Sequence, residues 1–169
     1  MGKTTVLTRI IDELKQKGFK VGGMVTSEFR TDGERDGFVI NNLSSGTVGW
    51  LARINQNYGP QIGKYRVCLE DLESVGVKAI LDAIVSSDVI VIDEVGPMEL
   101  FSASFEDAVL KALESGKPVL GTIHRRATHP LVLAIKNRVD SEIFEVTMDN
   151  RNELPALVTQ EIMKILTKN

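Results

Sequence analysis

Val89-Ile90-Val91-Ile92-Asp93-Glu94 is the stretch from which the rest of the chain is best read. Four β-branched apolar residues run without alternation into two adjacent acids. A strand with one wet face alternates apolar and polar side chains, whereas a strand covered on both faces does not, so this run predicts a buried parallel strand in an α/β sheet. Such sheets place their ligands beyond the carboxyl ends of their strands, which is where Asp93 and Glu94 fall. Capping a loop is the plainer use of two acids here, and a second motif decides between the two readings.

That motif is Gly2-Lys3-Thr4-Thr5, whose Gly-Lys-Thr matches the last three positions of G-x-x-x-x-G-K-[ST]. In that pattern backbone N–H groups curl around phosphates, the Lys reaches their outer oxygens and the Ser or Thr hydroxyl holds Mg²⁺. Val6, Leu7, Ile10, Ile11 and Leu14 follow at helical spacing and Gly18 supplies a stop, so residues 4 to 17 are predicted to form a helix. Its amino end, with unpaired N–H groups and the positive end of the dipole, favours a phosphate. In proteins of this kind an Asp at the end of a buried strand holds the Mg²⁺ between the phosphates, the role open to Asp93. Glu94 can then orient or deprotonate an attacking water.

Downstream of the first helix, Val21 to Thr26 reads as a strand in which Gly22-Gly23 marks a bulge or a close backbone approach. Phe38-Val39-Ile40 and Thr47 to Leu51 read as antiparallel ribbon inserted into the α/β frame, and residues 53 to 67 as a loop able to lie over a ligand. Leu72 to Ile84 is predicted to be a helix leading into the Val89 strand. A helix through Phe105 to Leu113, a buried strand from Val119 to Ile123, a helix from Pro130 to Arg138, a strand from Glu142 to Thr147 and a terminal helix from Asn152 to Lys168 capped by Asn150 complete the pattern. Alternating strands and helices imply a mostly parallel sheet with right-handed crossovers.

Composition bounds the function. With 169 residues and 43% of them apolar, one domain with its own core is expected. Twenty basic against 23 acidic residues, a net charge of −3 and no basic block give no nucleic-acid footprint. The single cysteine, Cys68, rules out an intrachain disulfide framework and fits a reducing compartment. No stretch reads as a membrane span or signal peptide, so the expected location is the cytoplasm. Two histidines, His124 and His129, are too few and too far apart for a metal site.

With these stretches assembled, the chain resembles the THEP1 family of small nucleoside-triphosphatases. Gly2-Lys3-Thr4-Thr5, Gly37-Phe38, Val48 to Arg53, Val91 to Phe101 and Asn150-Arg151 carry the likeness, and Asp93-Glu94-Val95-Gly96-Pro97-Met98-Glu99-Leu100-Phe101 is its most specific part. The resemblance implies a RecA-like P-loop NTPase fold and Mg²⁺-dependent hydrolysis of ATP, GTP and other nucleoside triphosphates. It places the nucleotide on Gly2, Lys3, Thr4 and Thr5 and on the run Val91, Ile92, Asp93, Glu94, Val95 and Gly96. Family members carry a short apolar strand and a full glycine-rich loop before Gly-Lys-Thr, so the natural start is expected about 10 residues upstream of Met1, room for a strand of about 5 residues and the remaining loop positions.

The roles expected are therefore Lys3 on the β- and γ-phosphates, Thr4 and Asp93 on Mg²⁺, and Glu94 on water. Arg125, Arg126, Arg138 and Arg151 are candidates to meet phosphate charge, with Arg151 also able to border the base. Thr122 could hold the water or be a core hydroxyl; Glu99 could stand behind the two acids; Trp50 is expected in the core beneath the ribbon. The alternatives are a small-molecule kinase, which would need an acceptor pocket and an arginine-bearing lid, and a non-catalytic nucleotide-binding or partner module.

Overall fold

The computed structural model describes residues 2–168. The expectation about the natural start concerns sequence outside that range. The chain opens with α1 (Lys3–Gln16) and then lays down β1 (Val21–Thr31), β2 (Glu34–Asn42), β3 (Val48–Arg53), β4 (Gln61–Ile62) and β5 (Tyr65–Val67). α2 (Leu69–Asp71) passes through a π-helical stretch (Leu72–Val77) into α3 (Lys78–Ser86), which feeds β6 (Val89–Ile92). A 3₁₀ turn (Glu99–Phe101), α4 (Ala103–Leu113), β7 (Val119–Gly121), α5 (Pro130–Asn137) and α6 (Leu154–Thr167) follow. No helix among the described residues is long and apolar enough to cross a membrane.

The strands form one sheet in the order β4-β5-β3-β2-β1-β6-β7. β1, β6 and β7 are parallel, with Met24 opposite Ile92 and Ile92 opposite Gly121. The remaining pairings are antiparallel, so the ribbon attached to the parallel part is larger than the sequence pattern suggests. β6 explains its own lack of alternation. Val89 and Val91 pack toward α1 and α6 with Ile10, Leu14 and Val158, while Ile90 and Ile92 pack toward α3 and α4 with Ile80, Phe105 and Val109. All four are at most 1% exposed. Burying each such side chain is worth about 2 kcal/mol.

β1 must lie close to its neighbours, and its two glycines allow it. A Cβ on Gly22 would run into the Ser87 hydroxyl, and one on Gly23, whose φ is +113°, would fall on the Val91 carbonyl oxygen. The register breaks between Phe29 and Arg30 in the β1–β2 pair and between Phe38 and Val39 in the β2–β3 pair, which twists the far end of the ribbon.

The structure corrects four expectations. Residues 53 to 67 are not all loop: β4 and β5 form a small hairpin on the sheet edge, too short to show a period of two. Trp50 is half-buried and not core; Phe29 meets it edge-on at 4.9 Å and the Arg53 guanidinium covers its ring at 4.2 Å. Glu142 to Thr147 is no strand. Phe144 and Val146 do turn inward against α1 and α6, which produces the alternation, yet a cleft of about 770 Å³ separates the segment from β7 and no ladder forms. Asn150 does not cap α6, whose N-cap position is Glu153; its side chain closes the turn ahead of the helix by accepting from the Thr147 amide at 2.8 Å and donating to the Glu145 carbonyl at 2.7 Å.

The backbone approach at Gly23 yields a measurable contrast. Gly23→Ala is expected to lower the unfolding free energy by about 3 kcal/mol, because both the positive φ and the collision with β6 penalise a methyl group. Gly18→Ala, with φ +91° but open space around it, should cost only about 1 kcal/mol. Urea unfolding followed by Trp50 fluorescence checks this; equal effects at the two positions would mean that β1 and β6 are not held this close.

Candidate functional site

Gly2 brings the chain into α1 in a left-handed conformation, φ 89°, and its carbonyl accepts the Val6 amide at 3.0 Å. No side chain caps this helix start, so its first N–H groups stay available. Lys3, half-buried, crosses from α1 to the ends of the two neighbouring parallel strands. Its Nζ donates to the Ile123 carbonyl just past β7 at 3.2 Å and faces Glu94 Oε2 just past β6 at 3.5 Å. With the two side chains 34% and 33% exposed, that ion pair is screened and contributes less than about 1 kcal/mol; it orients more than it stabilises. Thr4 and Thr5 stand exposed on the same first turn.

Asp93 is 4% exposed. Its Oδ1 accepts the Thr122 hydroxyl at 2.6 Å, while its buried Oδ2 has no partner among the described residues. Burial pushes the carboxyl above the ordinary aspartate range, with the Thr122 hydrogen bond pulling the other way. Leaving a buried acceptor unpaired costs about 1–3 kcal/mol, so the spare oxygen is open to any group that brings it a donor or a cation. A free carboxylate oxygen suits a small hard cation. No cluster of three or more His, Cys, Asp or Glu able to hold a metal by itself exists among the described residues.

The loop after Asp93 is tied to β7 and to α4. The Val95 amide donates to the Thr122 carbonyl at 3.0 Å, and the Leu100 amide to the Gly96 carbonyl at 3.0 Å. Gly96 is small because the Glu94 side chain lies back over it, its Cγ 2.8 Å from where a Cβ would stand. Behind the loop Glu99 is 2% exposed, and its carboxyl is pushed up to about 8, first by burial and then by the charges of Glu94 and Asp93, against hydrogen bonds from backbone amides. Ser102 caps α4 through the Phe105 amide at 3.1 Å and donates to Glu73 Oε1 at 3.3 Å, which anchors the loop's far end.

The structure thus brings Gly2, Lys3, Asp93 and Glu94 together and adds Thr122 and the Ile123 carbonyl. Val91, Ile92 and Val95 are buried. Thr122 is both a core hydroxyl and the group that holds Asp93. The Ile123 carbonyl left no trace in the sequence, because any residue supplies one. Arg125 is paired with Glu145 at 2.9 Å, and Arg138 with Glu114 at 2.9 Å and Asp140 at 2.8 Å. His129 accepts the Leu131 amide at the start of α5 at 3.1 Å, and His124 accepts the Arg126 amide at 3.2 Å, both plain structural uses.

A lysine on the first turn of a helix beside an Asp-Glu pair at the end of a buried parallel strand defines a protein with the P-loop NTPase fold. Comparison with known proteins narrows the class. Residues 1–159 match the family model described as NTPase. The chain is 47% identical to the nucleoside-triphosphatase THEP1 of Thermofilum pendens, over 99% of this chain and 93% of that protein. It is 44% identical to that of Methanosarcina acetivorans, over 98% of this chain and 93% of that one. The solution structure of a human cancer-related nucleoside triphosphatase superposes with a TM-score of 0.82 at 36% identity, covering 97% of this chain and 93% of that one. The crystal structure of THEP1 from Aquifex aeolicus gives 0.83 at 27% identity, covering 96% and 93%. The chain belongs to the THEP1 family of nucleoside-triphosphatases.

Glu99 makes stability depend on pH in a definite direction. Below its ordinary value of 4.5 the carboxyl is protonated folded and unfolded; from there to about 8 it is protonated only in the folded chain. The folded state then binds the extra proton, and stability falls as pH rises through that window. Glu99→Gln should remove this loss, so that between pH 5 and pH 8 the variant gains on the wild type by on the order of a few kcal/mol. Urea unfolding at both pH values tests it; a constant difference between the two proteins would show that Glu99 titrates normally.

Proposed function

We propose that the chain hydrolyses nucleoside triphosphates, ATP and GTP among them, to the diphosphate and inorganic phosphate. The observation that carries the reading is the convergence, at one helix start, of Lys3 with Glu94 at 3.5 Å and with the buried, unpaired Oδ2 of Asp93 behind it. The names of the relatives support the same reaction.

In this reading the free N–H groups of the first turn of α1 and the Lys3 ammonium bind the β- and γ-phosphates. Thr4 and Asp93 would hold Mg²⁺, which would supply positive charge against that of the phosphates. Phosphate takes Lys3 away from Glu94, and the freed carboxylate accepts a hydrogen bond from a water beside the γ-phosphorus. As that water's oxygen bonds to phosphorus and the bridge to the leaving diphosphate breaks, Glu94 takes the water's proton. Thr122 keeps Asp93 in one orientation, and Gly96 leaves Glu94 room to swing.

Phosphate release from ATP and GTP, followed against Mg²⁺ concentration, tests the assignment. Glu94→Gln should retain ATP binding and lose about 10²- to 10⁴-fold in kcat. Asp93→Asn should demand far more Mg²⁺ for half-maximal rate. Full turnover in Glu94→Gln would remove that residue from the reaction, and an unaltered Mg²⁺ profile in Asp93→Asn would remove the metal from its place.

A further inference from the structure

Glu94 hangs from a backbone that is tied on both sides of it. The Asp93 amide donates to the Met24 carbonyl of β1 at 3.1 Å, and the Val95 amide donates to the Thr122 carbonyl past β7 at 3.0 Å. The N–H between them, on Glu94 itself, meets no backbone carbonyl among the described residues. Its acceptor is the side-chain carboxyl of Glu99, which opens the 3₁₀ turn.

The turn that carries Glu99 is fastened at both ends. The Leu100 amide donates to the Gly96 carbonyl at 3.0 Å, and the Ser102 amide to the Glu99 carbonyl at 3.1 Å. Ser102 in turn caps α4, so the core helix sets where the Glu99 side chain lies. That side chain is buried, as are Val95 and Gly96 around it.

Filling this space does not call for an acid, since burying a carboxyl is costly and an apolar side chain of the same size would pack without that cost. What the carboxyl supplies is a fixed acceptor for one peptide N–H. Nothing else restrains Glu94 once a nucleotide is bound. Lys3 faces only the tip of the side chain, at 3.5 Å, and in the reaction proposed above it leaves for phosphate. Reacting groups must be held closely, because a misplacement of about 1 Å can cost 10²-fold in rate.

We infer that Glu99 is a positioning residue for Glu94: its buried carboxyl receives the Glu94 N–H and fixes the backbone from which the Glu94 side chain reaches the attacking water. This rests on the assignment of Glu94 to that water. Glu99 itself takes no part in bond making. Held protonated to about 8 by burial and by its acidic neighbours, it adds no third negative charge behind the phosphates, and glutamine reproduces its shape, its acceptor and its donor.

Hydrolysis of ATP at pH 7 by Glu99→Leu, Glu99→Met and Glu99→Gln tests it, with urea unfolding of each variant alongside. The two apolar variants fill the space without the acceptor. They should stay folded, since removal of a buried acid offsets loss of the hydrogen bond, and should keep KM within about twofold while kcat falls about 10- to 100-fold. Glu99→Gln should keep kcat within about twofold of wild type. In a Glu94→Gln background Glu99→Leu should cost nothing more, because its effect passes through Glu94. Wild-type kcat in the apolar variants, a loss in Glu99→Gln as large as theirs, a raised KM at constant kcat, a loss that adds in full to that of Glu94→Gln, or unfolding of both apolar variants would each overturn the assignment. Glu94→Gln tells the two readings apart. Full turnover in that variant removes the catalytic reading and Glu99 with it, whereas slow turnover beside a wild-type Glu99→Leu condemns Glu99 alone.

Discussion

The parallel pairing of β6 with β1 on one side and β7 on the other is the constraint on which the remaining structure hangs. It demands a strand that is apolar on both faces, helices on both faces to cover it, and a neighbour close enough for backbone hydrogen bonds. Val89 to Ile92 meet the first demand, α1 and α6 against α3 and α4 the second, and Gly22-Gly23 of β1 the third. Once these hold, Asp93 has nowhere to go but the rim where the ends of β6 and β7 meet the start of α1. The site is a by-product of sheet geometry, as it is in α/β proteins generally.

At that rim the structure tolerates electrostatic tension. Three carboxyl groups, on Asp93, Glu94 and Glu99, lie within one short run, two of them buried, with Lys3 as the cation facing them. A fold chosen for stability alone would not bury Asp93 with a spare oxygen or hide Glu99 where its proton is held to about pH 8. Both features make sense where a charged ligand is to complete the set, and Glu94, screened and half-released, is the group left free to move.

The two flanks of the site differ in kind. Toward β1 and β2 the sheet continues without interruption into a ribbon whose outer end is knit by Phe29, Trp50 and Arg53 and by Arg35 with Phe38 and Tyr65. Beyond β7 the hydrogen-bonded sheet stops at a cleft, and Phe144 and Val146 reach the core only through side chains. The first flank is rigid by ladder and stacking; the second depends on packing against α1 and on the turn closed by Asn150.

The α/β frame and the heart of the site are determined by local sequence. An unbroken Val/Ile run, a helical apolar stripe after Gly2-Lys3-Thr4, and paired acids at a strand's end are signals carried by neighbours in the chain, and the structure places β6, α1, Asp93 and Glu94 as they imply. Tertiary structure decided what depends on distant partners. Glu142 to Thr147 has the alternation of a strand, but a strand exists only with a ladder, and none forms across the cleft. Asn150 has the chemistry of a helix cap, yet the turn it closes begins before the helix. That Thr122 holds Asp93, that the Ile123 carbonyl receives Lys3, and that the Arg151 stem lies against Gly2 are outcomes of residues far apart in sequence meeting at one rim. Periodicity reports which face of an element is buried; it carries no information about what lies opposite, and a polar side chain's role is set by what lies opposite.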